Sequence, residues 1–425
     1  MSAPSSSASL LAPTTFRNFV SLNNELTVGG ISLTHIEKLL GQTPYYAYDK
    51  NLISQKIAYL KEILPNKVSL HYAIKANPYP SLVQFTSPLV DGFDVASKKE
   101  MLLAIQAGMP SKKISFAGPG KTAADITAAI IAGVTLHIES INELNTVQEI
   151  AGQLDLIADI AFRINPEFEL KSSGMKMSGG AKPFGIDEEL LPDILSQFPL
   201  PHLNLRGFHI YAGSQNLNSD AIISAQKQSF ALAKSLLGLL GAGVHIDYIN
   251  IGGGLGVPYF KNEKALDIKP ISANLAALLA TFQQDFADIE IIIELGRYLV
   301  AEAGIYVSKV VDKKVSRGIT YLVCDGGLHH HLANSGNFGQ VIRKNYPVAI
   351  GNRLTDLSNI KSTNTLEEVS IVGPLCTPLD ILADKILLPI ANVGDYVVIF
   401  QSGAYGASAS PKDFLSQPQL SEILL

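Results

Sequence analysis

The chain has 425 residues, a net charge of −5 and 47% hydrophobic content, enough for one large core and a second, smaller one. The charge is near balance and no basic run occurs, so neither nucleic acid nor an anionic membrane is indicated as a partner. No apolar run is long enough to cross a bilayer.

The first fifteen residues, rich in Ser, Ala and Pro, read as a flexible leader. They lack the basic n-region and long apolar h-region of a secretory signal. A transit peptide is disfavoured, because Arg17 is the only basic residue among the first seventeen. Residues 16–44 hold a short strand (25–28) and a short helix ending near Gly41. TPYYAYDK follows as a strand or entry segment, and 52–64 reads as a helix.

From residue 68 a regular alternation begins. Strands are expected at 68–74, 92–95, 114–116, 135–138, 160–164, 205–211, 248–251 and 291–294. Helical stretches lie between them at 98–107, 122–132, 142–151, 188–197, 220–240 and 272–286, and Ser140-x-x-Glu143 has the form of a capping box. About eight strand–helix units result, the number that closes a (β/α)8 TIM barrel. A doubly wound open sheet shares this alternation. After about residue 301 the strand-like runs 305–311, 320–324, 368–372 and 396–400 alternate with Gly/Pro-rich joints, which reads as a mostly β domain. The polar segment 351–365 reads as a surface hairpin or loop. The expected domains are 45–300 for the barrel and 16–44 with 301–425 for the β domain.

In a barrel, chemistry collects where the strands end. The first strand, within SLHYAIKANP, ends at Lys75; an amine there is expected to be poorly solvated and free for carbonyl chemistry, although a lone lysine is ordinarily solvated. The second carries Asp94 (GFDVAS), the fifth Arg163 (FRINP), and the sixth runs into His209 and Ser214 (HIYAGSQN). The seventh ends in Gly252, Gly253 and Gly254, the eighth in Glu294, Gly296 and Arg297. The glycine turn offers bare N–H groups suited to a phosphate, but a tight packing turn would explain it equally well. It lacks the pattern of a nucleotide triphosphatase loop and follows a late strand, which argues against a dinucleotide fingerprint. A carboxylate such as Glu294 can hold a pyridinium N–H, and a lysine can tether that ring as a Schiff base. His209 could lie flat against the ring or be a hydrogen-bonded core histidine. Together these parts describe a pyridoxal phosphate site.

The motifs YAIKAN, GFDVAS, FRINP, KPFGI, HIYAGSQ, NIGGGLG, ELGR, GPLCTPLD and SGAYG occur in that order between residues 43 and 410. In them the chain resembles the alanine-racemase-like, fold-type-III pyridoxal phosphate decarboxylases, which include diaminopimelate, ornithine and arginine decarboxylases. The resemblance implies a TIM barrel with a mostly β C-terminal domain, pyridoxal 5′-phosphate as cofactor, and loss of the α-carboxylate from an amino acid. It implies that Lys75 carries the cofactor and is displaced by the substrate amine, and that His209 stacks on the ring. Ser214 and Gly252–Gly254 would hold the phosphate, joined by backbone around Glu294–Arg297, and Glu294 the pyridine nitrogen. Racemases of this fold place an arginine where Glu294 stands, which weakens the electron sink. Asp94 and Arg163 fall at cofactor-binding positions, Arg297 matches a substrate-contacting arginine, and Tyr405 a tyrosine near cofactor and substrate.

Cys376, in GPLCTPLD, matches a cysteine that reaches the neighbouring subunit's site and protonates the carbanion, which implies a homodimer with shared sites. Outside that motif it would read as a small core residue. It is far from Cys324 and the two match no metal spacing, which fits a reducing cytoplasm. Diaminopimelate decarboxylases typically follow this cysteine with a glutamate for the distal ammonium. Here Thr377 and Pro378 follow, with Asp380 further on, and Thr377 and Asp380 are the expected substrate contacts of this loop. Arg343 and Tyr346, in IRKNYP, are the nearest candidates for the family's substrate arginine and tyrosine. His329, His330 and His331 are expected at the rim of the site, since neighbours on one strand point to opposite faces and suit a metal poorly. HHH, RxNYP, GPLCTP and SGAYGxSxSP resemble a subgroup that includes the butirosin-type decarboxylase, which acts on a glutamyl group held by an acyl-carrier protein. A small-molecule amino acid or a carrier-bound one is the expected substrate, with diaminopimelate decarboxylation or a silent cofactor-binding homologue as alternatives.

Overall fold

The computed structural model describes residues 18–170, 175–260, 262–338, 343–354 and 366–425. The expected leader, residues 1–15, lies outside them, as does most of the expected loop at 351–365. The chain divides into two compact units. One comprises Ser54–Val257 and Lys264–Leu299; the other comprises the described part of Met1–Ile53, Pro258–Glu263 and Val300–Leu425.

The first unit is a closed parallel barrel. Its strands are β1 (Val68–Ala73), β2 (Gly92–Val95), β3 (Ile114–Phe116), β4 (Thr135–Ile138), β5 (Ala158–Asn165), β6 (Leu203–Ile210), β7 (Tyr248–Gly253) and β8 (Glu290–Leu295). Each pairs in parallel with the next, and β8 returns to β1 through Ile291↔Val68 to Leu295↔Tyr72. Closure excludes the open doubly wound sheet. Strands β2, β3 and β4 are buried along their whole length because a parallel sheet of this kind is covered on both faces.

Helix starts are set by local chemistry. Thr122 and Asp125 form a full capping box on Ala123–Ala132. At the helix Ile141–Leu154, Ser140 Oγ accepts from Glu143 N at 3.1 Å, but the reciprocal half expected there is displaced. The Glu143 carboxylate instead accepts from Glu139 N at 2.8 Å and pairs with Lys121 at 2.5 Å. The helix expected at 188–197 shrinks to the 3-10 turn Glu188–Leu190 and Leu191–Leu195.

In the second unit the long strand Gly304–Ser316 pairs antiparallel with Tyr45–Tyr48, with Tyr396–Ile399 and with Ile319–Cys324. Leu366–Val372 and Ile381–Pro389 extend the sheet on one side, Val348–Ile350 extends it on the other, and Ser421–Leu424 runs parallel to Tyr45–Tyr48. Leu26, Val28, Ile305, Val307, Val398 and Phe400 are buried in its core. The domain boundary expected at residue 45 is therefore misplaced. Tyr45–Tyr48 reads as a strand in either domain, and its partner lies far along the chain, where periodicity gives no sign of it. Cys324 is buried at the end of its strand, and burial pushes its thiol up to about 12. Among the described residues no helix is long and apolar enough to cross a membrane.

Candidate active site

The chemistry-bearing side chains of the first unit gather at the C-terminal ends of the barrel strands. β1 stops at Ala73 and the chain tightens into the 3-10 turn Ile74–Ala76, with Ile74 and Ala76 buried and Lys75 turned outward. Gly296 lets the turn after β8 press against this one: a Cβ there would stand 2.8 Å from Ala76 Cβ. That approach sets Glu294 opposite the lysine, with Glu294 Oε1 3.4 Å from Lys75 Nζ. The Lys75 amine also lies 5.4 Å from the centre of the Tyr211 ring. The lysine side chain is 44% exposed, so an amine withdrawn from solvent is not what the structure holds. The turn lifts it out of the strand's apolar register and leaves it open at the barrel mouth.

Glu294 itself is buried, and its Oε2 stands 3.2 Å from His209 Nε2. Burial works against its charge, but the Lys75 ammonium, His209 and Arg163 outweigh it and hold the carboxyl well below the usual carboxylate range. Asp94 shows the reverse. Burial, and then the charge of Glu294, push its carboxyl well above that range, although Ser115 Oγ donates to its Oδ1. Asp94 Oδ2 faces His71 Nδ1 at 3.7 Å, and burial pushes the His71 imidazole down to about 4.

Arg163 is buried and fixed: its Nη1 donates to Glu139 Oε1 at 3.0 Å, and its guanidinium lies 5.2 Å from the Phe184 ring and 5.8 Å from Tyr211. Ser214 sits on the two-residue strand Gly213–Ser214, paired antiparallel with Met175–Lys176. The glycine turn packs beside it. Gly252 and Gly254 have φ of +66° and +73°; a Cβ would come within 2.8 Å of the Tyr211 ring at the first and 2.6 Å of Gly213 O at the second. At Gly253 it would meet Glu294 O at 2.3 Å. Side chains are thus excluded and the backbone itself lines the turn, as an anion cradle requires.

Sequence reasoning missed His137 and Glu139 at the end of β4, Tyr248 on β7 and Tyr211 after β6. His137 Nδ1 is 2.8 Å from His209 Nδ1, and His137 Nε2 is 3.0 Å from Tyr248 Oη. The alternation Thr-Leu-His-Ile-Glu carried a signal, since one inward histidine in an apolar strand needs a polar partner.

The remaining expected residues belong to the second unit. Cys376 is exposed, in the turn between Leu366–Val372 and Ile381–Pro389. Thr377 N donates to Leu375 O at 2.8 Å, and Thr377 Oγ1 accepts from Leu379 N. Asp380, expected to meet substrate, is instead buried: Oδ1 accepts from Leu328 N at 2.6 Å and Oδ2 from Leu375 N at 2.8 Å. A carboxylate so engaged is spent on holding two chain segments together. Arg343 Nη2 donates to Ile381 O at 2.7 Å. Tyr346 packs in an aromatic cluster, 4.8 Å from the Tyr259 ring and 5.6 Å from His331. Tyr405 is half-buried with φ of +53°. The three histidines are not on a strand. They lie buried in a turn, where His330 Nε2 contacts Pro418 O at 3.0 Å and His331 Nε2 contacts Ser402 Oγ at 2.9 Å. Among the described residues no His, Cys, Asp or Glu cluster could hold a metal.

An open lysine amine, an ionised buried carboxylate opposite it and a side-chain-free backbone turn fit pyridoxal phosphate: an aldehyde needs the first, a ring nitrogen the second, a phosphate the third. Comparison with known proteins gives the same class. Residues 50–301 match the family described as pyridoxal-dependent decarboxylase, pyridoxal binding domain. The chain is 36% identical over 386 residues to the L-glutamyl-[BtrI acyl-carrier protein] decarboxylase of Niallia circulans, covering 90% of this chain and 89% of that one. It is 31% identical to the diaminopimelate decarboxylase of Aquifex aeolicus, covering 95% and 91%. Among solved structures, diaminopimelate decarboxylase from Helicobacter pylori, complexed with L-lysine, superposes with a TM-score of 0.79 at 30% identity, covering 92% of this chain and 94% of that one. The chain belongs to the pyridoxal-dependent decarboxylases of fold type III. It is a carboxy-lyase that uses pyridoxal 5′-phosphate to decarboxylate an amino acid.

Proposed function

We propose that the substrate is an amino acid whose α-amino and α-carboxylate groups are free and whose far end is joined to a carrier protein. The observation that carries this reading is the loop after Cys376. Thr377 and Pro378 offer no charge, and both Asp380 oxygens are taken up by backbone N–H groups, so no carboxylate of this loop awaits a distal ammonium. A site for such a cation would leave its charge unpaired here, a large penalty against that substrate. The 36% identical relative, named for a carrier-protein-bound glutamyl substrate, supports the same conclusion.

In this reading Lys75 would tether the cofactor covalently through Nζ until the substrate amine replaces it. The glycine turn and Ser214 would hold the phosphate, and His209 would lie against the ring. The bound cofactor supplies an electron sink for the pair released when the bond between Cα and the carboxylate breaks. Glu294, kept ionised, holds a proton on the ring nitrogen, which favours full carbanion development. Burial disfavours a second negative charge on Asp94, which limits its competition with Glu294. Arg163, pinned by Glu139, fixes Tyr211 beneath the lysine. Arg297, Arg343, Tyr346 and Tyr405 bind the substrate. Cys376 Sγ, contributed by the second copy of a homodimer, returns a proton to Cα.

The test is CO2 release from carrier-bound glutamate and other carrier-bound amino acids against free diaminopimelate, ornithine, lysine, arginine and glutamate. Turnover of carrier-bound substrate supports the reading. Turnover of free meso-diaminopimelate alone overturns it in favour of the second reading, diaminopimelate decarboxylation, which the Aquifex aeolicus relative supports.

A further inference from the structure

Four buried side chains from four barrel strands form one line of polar contacts: Glu294 on β8, His209 on β6, His137 on β4 and Tyr248 on β7. The separations are 3.2 Å from Glu294 Oε2 to His209 Nε2, 2.8 Å between the two Nδ1 atoms, and 3.0 Å from His137 Nε2 to Tyr248 Oη. His137 is fully buried and His209 is 1% exposed, so water does not supply their partners.

The proton positions follow from the ends. Glu294 is held in its ionised form, and its charge 3.2 Å from His209 Nε2 favours a proton on that nitrogen, although the contact lacks hydrogen-bond geometry. If the His209 ring is neutral, its Nδ1 accepts, His137 Nδ1 donates, His137 Nε2 accepts, and the Tyr248 hydroxyl donates. Every ring nitrogen then has a complementary neighbour. If His209 is an imidazolium, the order reverses: His209 Nδ1 donates to His137, and His137 Nε2 donates to Tyr248. The tyrosine proton must then turn away, towards the cavity of about 250 Å³ bordered by Tyr248, His71 and Asn250. Burial of both rings favours the neutral arrangement. Facing His209 are Glu294, His137 and the Tyr211 ring, with the Arg163–Glu139 pair at longer range.

We infer that His137 and Tyr248 are positioning residues that hold the His209 ring neutral, with its proton on Nε2, the nitrogen nearest Glu294. The ring against the cofactor is then uncharged and does not oppose a pyridinium, leaving the Glu294 charge to act on it alone. That consequence rests on the proposed role of Glu294; the proton positions do not.

The experiment is 15N NMR of the full-length enzyme labelled at histidine, between about pH 6 and 8. His209 is assigned by its loss in His209→Gln. The expected wild-type signal is a neutral ring protonated at Nε2. Tyr248→Phe and His137→Phe remove the donors that favour that state, and the proton-uptake midpoint of His209 should rise by about one unit or more in each. Retained visible absorbance of the bound cofactor shows that the variants fold. An imidazolium or an Nδ1-protonated His209 in the wild type overturns the inference without need of any variant, and so do unchanged midpoints in both variants. Failure of cofactor labelling at Lys75, with the expected His209 signal present, would count against the proposed catalytic roles alone.

Discussion

Glu294 and Asp94 are buried carboxyls on β8 and β2 of the same barrel, and their surroundings push them in opposite directions from the usual carboxylate range. Glu294 has the Lys75 ammonium at 3.4 Å and His209 at 3.2 Å; Asp94 has a hydroxyl donor and a neutral imidazole. Such a split favours charge on the first and disfavours it on the second. Glu294→Gln keeps the shape and removes the charge. Decarboxylation should fall on the order of 100-fold while the cofactor still binds. Steady-state CO2 release together with the absorbance of bound cofactor checks this, and a loss of binding with unchanged turnover per bound cofactor would contradict it.

The glycine turn gives a second prediction. Gly254→Ala requires a side chain at φ of +73° with its Cβ 2.6 Å from Gly213 O. The strain alone is about 1–2 kcal/mol, so cofactor affinity should drop roughly 5- to 30-fold, read by titrating the cofactor-free protein. Gly243, also at positive φ but with open space around it, is the control, and its alanine variant should bind normally.

Asp380 separates a structural carboxylate from a substrate ligand. Asp380→Asn retains one acceptor oxygen and turns an amide N–H group towards the N–H of Leu328 or Leu375, so stability should fall by about 1–3 kcal/mol with little change in substrate preference. Urea unfolding and a substrate panel read the two effects separately. Unchanged stability with an altered panel would make Asp380 a substrate residue after all.

Much of the fold could be read from the sequence because the barrel strands are short apolar runs whose ends bear polar groups. The failures have distinct causes. Ile381–Pro389 was missed because Leu, Ala and Lys favour helix locally, and only pairing with Leu366–Val372 makes it a strand. Tyr45–Tyr48 went to the wrong unit because strand pairing is non-local. His137 escaped notice because attention to strand ends overlooks a side chain inside the barrel. Asp380 looked available because sequence cannot show which way a carboxylate turns, and Lys75 looked desolvated because a 3-10 turn cannot be foreseen at the end of an apolar run.

Buried neutral histidines predict how stability depends on pH. Burial lowers His71 from 6.5 to about 4 and His331 from 6.5 to about 3. Between those values and 6.5 the unfolded chain binds protons that the folded chain refuses. The stabilisation is therefore full above about pH 6.5 and is lost as pH falls, by roughly 3 kcal/mol for His71 alone at pH 4. Denaturation midpoints at pH 7.5 and 4.5 should differ in that direction; equal midpoints would contradict it.

The proposed homodimer with shared sites predicts complementation. Lys75→Ala and Cys376→Ala proteins, each impaired alone, should regain about a quarter of wild-type activity when mixed and allowed to exchange subunits, since half the dimers are then hybrid with one intact site of two. Activity that stays at the sum of the two parents would remove Cys376 from the neighbouring site.

The most direct measurement concerns Lys75. Borohydride reduction of the cofactor-loaded protein, followed by peptide mass mapping, should place the reduced pyridoxyl phosphate on the peptide containing Lys75 and nowhere else, with the label lost in Lys75→Ala. A label on another lysine, such as Lys121, or its persistence in the variant would contradict the assignment of this barrel mouth as the cofactor site.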